Sequence, residues 1–176
     1  MIGFPYTKFM CAFNEIDMGA AVLLTSVGKA KELGISPDKW CYLHATASTE
    51  EDTSLLSRPN FYTSTQHEVG FKSLLASAGK TAADISGWDI YSPFPTNPQL
   101  AAKALSLPVD QPRGWTLTGG HSSHGAPGAG YGVHSVAATV EACRGNPDGY
   151  YVNNTNGAQF TVKFWRIMAY LGVVFD

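Results

Sequence analysis

Three times along this chain a short apolar run gives way to a helical pattern that stops at glycine or proline, and this alternation restricts the available folds more than any other feature. "GAAVLLTS" (19–26) carries β-branched residues and precedes "VGKAKELG", where Val27, Ala30 and Lys31 fit a helix ending at Gly34. "KWCYLHATAS" (39–48) is a second predicted strand, an aromatic and small-apolar run bounded by polar residues. The polar segment 49–66, with Pro59 inside it, reads as a long loop. A helix is predicted over 67–78, with Val69, Leu74, Leu75 and Ala78 on one face and Gly79 as its stop. "SGWDIYSPF" holds the third strand, cut off by Pro93 and Pro95. The spacing of Leu100, Ala101, Ala104 and Leu105 predicts a helix over 96–108, capped by Thr96 or Asn97. Residues 132–145 repeat the pattern through Val133, Val136, Ala137, Val140 and Cys143, and strands near 150–154 and 159–166 close the chain. The order implies an α/β fold with a central mixed five-stranded sheet and helices on both faces.

With 176 residues, 44% hydrophobic and 15% charged, the chain can bury one sizeable core, so 1–176 reads as a single domain. A net charge of -2 without runs of lysine or arginine gives no electrostatic footprint for nucleic acid or an anionic membrane. No apolar run reaches the roughly 18 residues of a membrane span, and the amino terminus lacks a signal-peptide pattern. Cytoplasmic residence is the default expectation. Cys11, Cys41 and Cys143 are odd in number and lack paired spacing, which predicts buried free thiols. "MIGFPYTKFM" reads like the middle of a chain, and the apolar end "VKFWRIMAYLGVVFD" is expected to form an exposed sticky end or a partner contact.

The chemistry concentrates in "TGGHSSHGAPGAGYGVHS" (118–135). This stretch has no lysine and no dinucleotide spacing, so it is neither a P-loop nor a Rossmann fingerprint. Glycines leading into a helix can still offer backbone N–H groups to an anion or a developing oxyanion. His121, His124 and His134 have no acidic residue near them between Asp110 and Glu141, and their spacing fits no known zinc class, so no metal is expected. Gly128, Gly130 and Gly132 would also allow close packing of a helix start. Tyr131 and His134 share a helical face; a pair satisfying each other in the core and a catalytic pair both remain open.

Four stretches, in order, resemble the carboxy-terminal half of thiolases, in the branch of acetyl-CoA acetyltransferases and sterol-carrier-type thiolases. "NEIDMGAAVLLTSVGKAKELGI" is similar to the thiolase strand-helix unit, and "ISGWDIYSPFPTNPQLAAKALSLP" to the strand bearing the Asn-Glu-Ala-Phe or His-Asp-Cys-Phe motif. "TGGHSSHGAPGAGYG" resembles the Gly-His-Pro loop and "NNTNGAQ" the final Cys-x-Gly loop. The resemblance implies an acyl-CoA-dependent enzyme of carbon–carbon bonds with a coenzyme A thioester as substrate and no bound cofactor. The family's nucleophilic cysteine lies in an amino-terminal half that this chain does not contain.

Several family positions are changed. The Gly-His-Pro histidine falls on Ala126, with His124 two residues earlier; the last-loop cysteine falls on Asn156; the middle-motif amide or histidine becomes Tyr91. Thiolase-fold retro-aldolases that use tyrosines also resemble this pattern, which makes Tyr91 and Tyr131 candidates, one acting on the β-hydroxyl and the other on an enolate; at neutral pH this needs a depressed tyrosine pKa or a paired base such as His134. The candidate catalytic residues are thus Tyr91, His124, Tyr131, His134 and Asn156, with Gly125, Gly128, Gly130 and Gly157 around the coenzyme. Implied partners are acyl-CoA, an amino-terminal thiolase half, a second copy, or a small OB-fold protein. The alternative is a non-catalytic thiolase-like module that binds acyl-CoA or lipid, or scaffolds a partner.

Overall fold

A computed structural model describes residues 1–50, 56, 58–158 and 165–174; for residues 50, 156–158 and 165–174 only the backbone is considered. The elements run α1 (Val27–Glu32), β1 (Tyr42–Glu50), α2 (Thr65–Ser77), β2 (Ile85–Ile90), α3 (Thr96–Leu105), α4 (Tyr131–Gly145), β3 (Tyr150–Ala158) and β4 (Trp165–Val174). Local chemistry sets their ends. Ser26 and Ser64 cap α1 and α2 by accepting from Lys29 N–H and His67 N–H. Gly34 and Gly79, at φ +66° and +63°, stop the same helices in the left-handed region.

One sheet has the order β1-β4-β3-β2, with β2 and β3 parallel and the other pairs antiparallel. It is mixed, as the sequence implies. Side chains alternate along a strand, so Trp88, Ile90 and Val152 face α2 and α3, where they join Phe71, Leu74, Ala101 and Ala102 in the main core. Asp89 and Asn153 point the other way, toward α4. Helices therefore cover both faces.

The expected count of five strands is corrected to four among the described residues. "GAAVLLTS" pairs with nothing there, and Leu23 and Leu24 are 74% and 84% exposed. Apolar β-branched composition makes a strand only where an edge is available to pair with it. The second closing strand is β4, Trp165–Val174; of the predicted 159–166, residues 159–164 lie outside the described residues. The side chains of the apolar carboxy-terminal stretch lie outside the described residues.

A second correction concerns α4. Its buried positions are Tyr131, Ser135, Thr139 and Cys143, spaced four apart, while Val133 is exposed. The hydroxyls turn inward because Asp89 and Asn153, on the sheet face beneath, are buried polar groups that require partners. Similarly, α2 buries His67 and leaves Val69 exposed.

All three cysteines are free; Cys11 and Cys143 are buried and Cys41 is half-buried. No helix among the described residues is long and apolar enough to cross a membrane.

Because β1 and β3 both run antiparallel to β4, they share one direction with β2. Helices α2 and α3 start after the carboxy ends of β1 and β2, and α4 leads back into the start of β3. The amino ends of all three thus gather at one end of the sheet, where α/β proteins place ligands.

Candidate active site

At that end Asp89, fully buried in β2, organises the glycine loop. Its Oδ1 accepts from Leu117 N–H at 2.7 Å, Thr118 N–H at 3.0 Å and the Thr118 hydroxyl at 3.0 Å. Its Oδ2 accepts from the Ser135 hydroxyl. Asn153 Nδ2 donates to Ser135 Oγ and, at 3.3 Å, to Thr139 Oγ1. Burial pushes Asp89 above the usual carboxylate range, and the four hydrogen bonds pull against that rise.

This network fixes a proton. Thr118 Oγ1 has one hydrogen and gives it to Asp89, so at its 2.8 Å contact with Tyr131 the phenol is the donor. Tyr131 is fully buried, and burial, with the Asp89 charge adding to it, holds its pKa above the normal tyrosine range. Burial also raises Tyr91. The expected depression of a tyrosine pKa is the reverse of what this environment produces: both phenols stay protonated, as hydrogen-bond donors rather than bases.

Around Tyr131 lies an aromatic cluster. His121 stacks on it with centroids 3.5 Å apart and planes 22° from parallel, and the Tyr91 ring meets both edge-on at 4.2 and 5.6 Å. His124 approaches Tyr131 edge-on at 6.1 Å and His134 at 5.1 Å. His134 therefore has the His124 ring as its neighbour, while Tyr131 is partnered by Thr118 and His121. Burial lowers His121 to about 4, with the His124 charge contributing, and the same two causes lower His134.

The strap Cys11–Ile16 crosses the glycine loop. Phe13 N–H donates to His121 C=O at 3.2 Å, Ala126 N–H donates to Phe13 C=O at 2.8 Å, and Ala12 N–H reaches Pro93 C=O at 2.8 Å. Beside it opens a cleft of about 560 Å³, lined by Ile16, Asp17, Met18 and Gly19 on one side and Ala126, Pro127 and Gly128 on the other. Gly125, at φ +106°, has no room for a side chain: a Cβ would lie 2.5 Å from Ile16 Cδ1 and 3.0 Å from Met18 Sδ. Gly125→Ala is expected to lower stability by about 1–3 kcal/mol, read as a shift in the urea midpoint. Gly130→Ala, where a Cβ would make an ordinary 3.8 Å contact with Pro127, should stay within about 0.5 kcal/mol.

Of the residues singled out from sequence, the fold brings Tyr91, His124, Tyr131 and His134 into one cluster. Gly128 lines the cleft at φ +59°, and Gly130 directly precedes α4. Asn156 and Gly157 lie on the β3 backbone, pairing with Ile167 and Arg166; their surroundings fall outside the described residues. Among the described residues no group of three metal-ligating side chains forms. Sequence reading missed Asp89, Thr118, Ser135, Asn153 and the true environment of His121. The signal for Asp89 was present, since an acidic residue inside "GWDIY" needs buried partners. Asn154 was also missed; it is fully buried with neither amide atom hydrogen-bonded.

A scan against protein-family models found no match, and a search of curated proteins found none either. Solved structures do match. A monomeric SCP2-thiolase-like protein type 1 from Mycobacterium smegmatis aligns with 96% of this chain at a TM-score of 0.78 and 28% identity. The Acat5 thiolase from Ascaris suum, solved with coenzyme A, aligns with 85% at a TM-score of 0.63 and 19% identity. The chain has a thiolase-like α/β fold. It spans about a third of those proteins, covering 36% and 34% of their lengths.

Proposed function

We propose that this chain is the acyl-thioester-handling part of a thiolase-type carbon–carbon bond enzyme, completed by an amino-terminal half that carries the nucleophile or base. The observation that carries the reading is the Tyr91–His121–Tyr131–His124 cluster under the glycine loop of a thiolase-like fold. Acyl transfer and retro-aldol cleavage share one demand, stabilisation of negative charge on the thioester oxygen as the carbonyl π pair moves onto it. Fixed donors in a dry site meet that demand best. Tyr91, a half-buried phenol that burial keeps protonated, is assigned this role. Tyr131, whose proton is engaged by Thr118, holds the loop in place.

The cleft at Gly128 suits the pantetheine and acyl portion of the substrate better than its phosphates, since Asp17 lines it. Large apolar side chains exposed along the first third of the chain, among them Ile2, Phe4, Phe9, Leu23 and Leu24, support docking of an amino-terminal thiolase half. An oligomer or an OB-fold partner would use the same surface.

The alternative, an acyl-CoA- or lipid-binding module without catalysis, draws on Ala126 occupying the position that resembles the Gly-His-Pro histidine. Calorimetry with acetyl-CoA, alone and with a co-expressed amino-terminal thiolase half, followed by a thioester-cleavage assay, separates the two. Turnover that needs the half and drops about a hundredfold in Tyr91→Phe supports the enzyme. Binding without turnover in either setting supports the module, and absence of binding in both sinks the catalytic reading and leaves a structural module.

A further inference from the structure

Two of the three cysteines, distant in sequence, meet at the end of α4 away from the aromatic cluster. Cys41 directly precedes β1, and Cys143 lies in the last turn of α4. Cys143 and Tyr151 form a small buried cluster against which Cys41, Leu117 and Ala142 pack. The Cys41 thiol lies 3.8 Å from Val140 C=O. A helix carbonyl points toward the carboxy end and passes beside the side chain three residues on, which here is Cys143. Arg144 fastens the approach, its Nε and Nη2 donating to Lys39 C=O at 3.2 and 2.9 Å. Both sulfurs are thus held at one turn of α4. Cys11 stands apart, in the strap that Ala12 ties to Pro93. The two clustered thiols differ in what reaches them: Cys41 is half-buried, while Cys143 is fully buried. Burial raises both, Cys143 to about 12, whereas the Arg144 guanidinium beside Cys41 opposes the rise there. Cys41 is therefore the thiol that ionises and meets a small oxidant first, with Cys143 waiting next to it.

We propose that Cys41 and Cys143 form a modification site, a dithiol that hydrogen peroxide closes to a disulfide. The Cys41 thiolate attacks one peroxide oxygen, the O–O bond breaks, and the leaving hydroxide takes up a proton to become water. The Cys143 sulfur then attacks the sulfenic sulfur of Cys41; the S–O bond breaks, and the hydroxyl leaves with the Cys143 proton as a second water. Two electrons pass from the two thiols to one peroxide. The product ties the entry of β1 to the end of α4 and closes residues 42–142 into a loop, which a dithiol reductant reopens.

The test treats the folded full chain with hydrogen peroxide, quenches it, and counts thiols in denaturant. Three thiols titrate before treatment, and one should remain afterwards. Tryptic mass mapping should find Cys41 joined to Cys143 within one chain and Cys11 unmodified, and dithiothreitol should restore all three thiols. Because Cys41 ionises above neutral pH, the rate should rise about tenfold between roughly pH 7 and 8. Arg144→Gln, which releases Lys39 C=O, should slow closure several-fold. In Cys143→Ala the reaction should stop at a Cys41 sulfenic acid that dimedone traps. In Cys41→Ser, a milder change at a half-buried position, Cys143 should keep its thiol. A Cys41 sulfinic acid formed beside an intact Cys143 thiol overturns the proposal. So does a disulfide that includes Cys11 or joins two chains, a Cys143 that oxidises without Cys41, or three thiols surviving the treatment. None of these outcomes bears on the proposed function, which concerns the opposite end of α4.

Discussion

Asp89→Ala should be the most destabilising single substitution in the site, lowering unfolding free energy by about 3–5 kcal/mol. It strips the acceptor from Leu117 N–H, Thr118 N–H, the Thr118 hydroxyl and the Ser135 hydroxyl together. Each buried donor left unpaired costs about 1–3 kcal/mol, and partial entry of water keeps the total below the simple sum. Asp89→Asn retains one oxygen for the loop donors but presents an amide to Ser135, so about half the loss is expected. Equilibrium urea unfolding gives both values. The glycine loop hangs on this carboxylate through Thr118, so Tyr131 fluorescence and loop protection from hydrogen exchange should change in step.

Lowering the pH from 6.5 to about 4 should remove several kcal/mol of stability. His67 and His121 are buried without charge, and burial depresses both to about 4 from an ordinary 6.5. Below pH 6.5 the unfolded chain takes up protons that the folded chain refuses until about pH 4. Their full contribution is therefore present above 6.5 and is lost as pH falls through that window, at about 1.4 kcal/mol per pH unit for each ring. Asp89 acts in the opposite sense, since a raised carboxyl pKa favours the fold at low pH. That offsets part of the loss. Thermal midpoints between pH 7 and 4.5 test this, and His67→Gln, remote from the catalytic cluster, should remove roughly half of the dependence.

Part of the architecture was legible because helix stops are local. Gly34 and Gly79 end their own helices, and the strands around Trp88 and Val152 announce themselves by composition. The cap expected at Thr96 or Asn97 does not form: α3 begins at Thr96 itself, behind Pro95, with no side-chain cap hydrogen bond. What failed depends on the partner across the interface. "GAAVLLTS" has strand composition and finds no strand to pair with among the described residues, and α4 has a valine stripe that loses to its hydroxyls. The stripe loses because Asp89 and Asn153 sit far away in sequence, on the sheet beneath it. The cluster of Tyr91, His124, Tyr131 and His134 was anticipated from motif resemblance, while their proton states were not. A tyrosine beside a histidine in sequence suggests acid–base traffic; a tyrosine donating to a threonine that already serves a carboxylate does not.

The crossing strap has a consequence for how this site varies. Phe13 ties the loop on both sides with main-chain atoms, its N–H to His121 and its C=O to Ala126, while its side chain is 42% exposed. The fastening is therefore blind to side-chain identity. Any residue with an amide hydrogen can serve there and proline alone is barred, so position 13 can drift freely among related chains while the loop it moors keeps its shape.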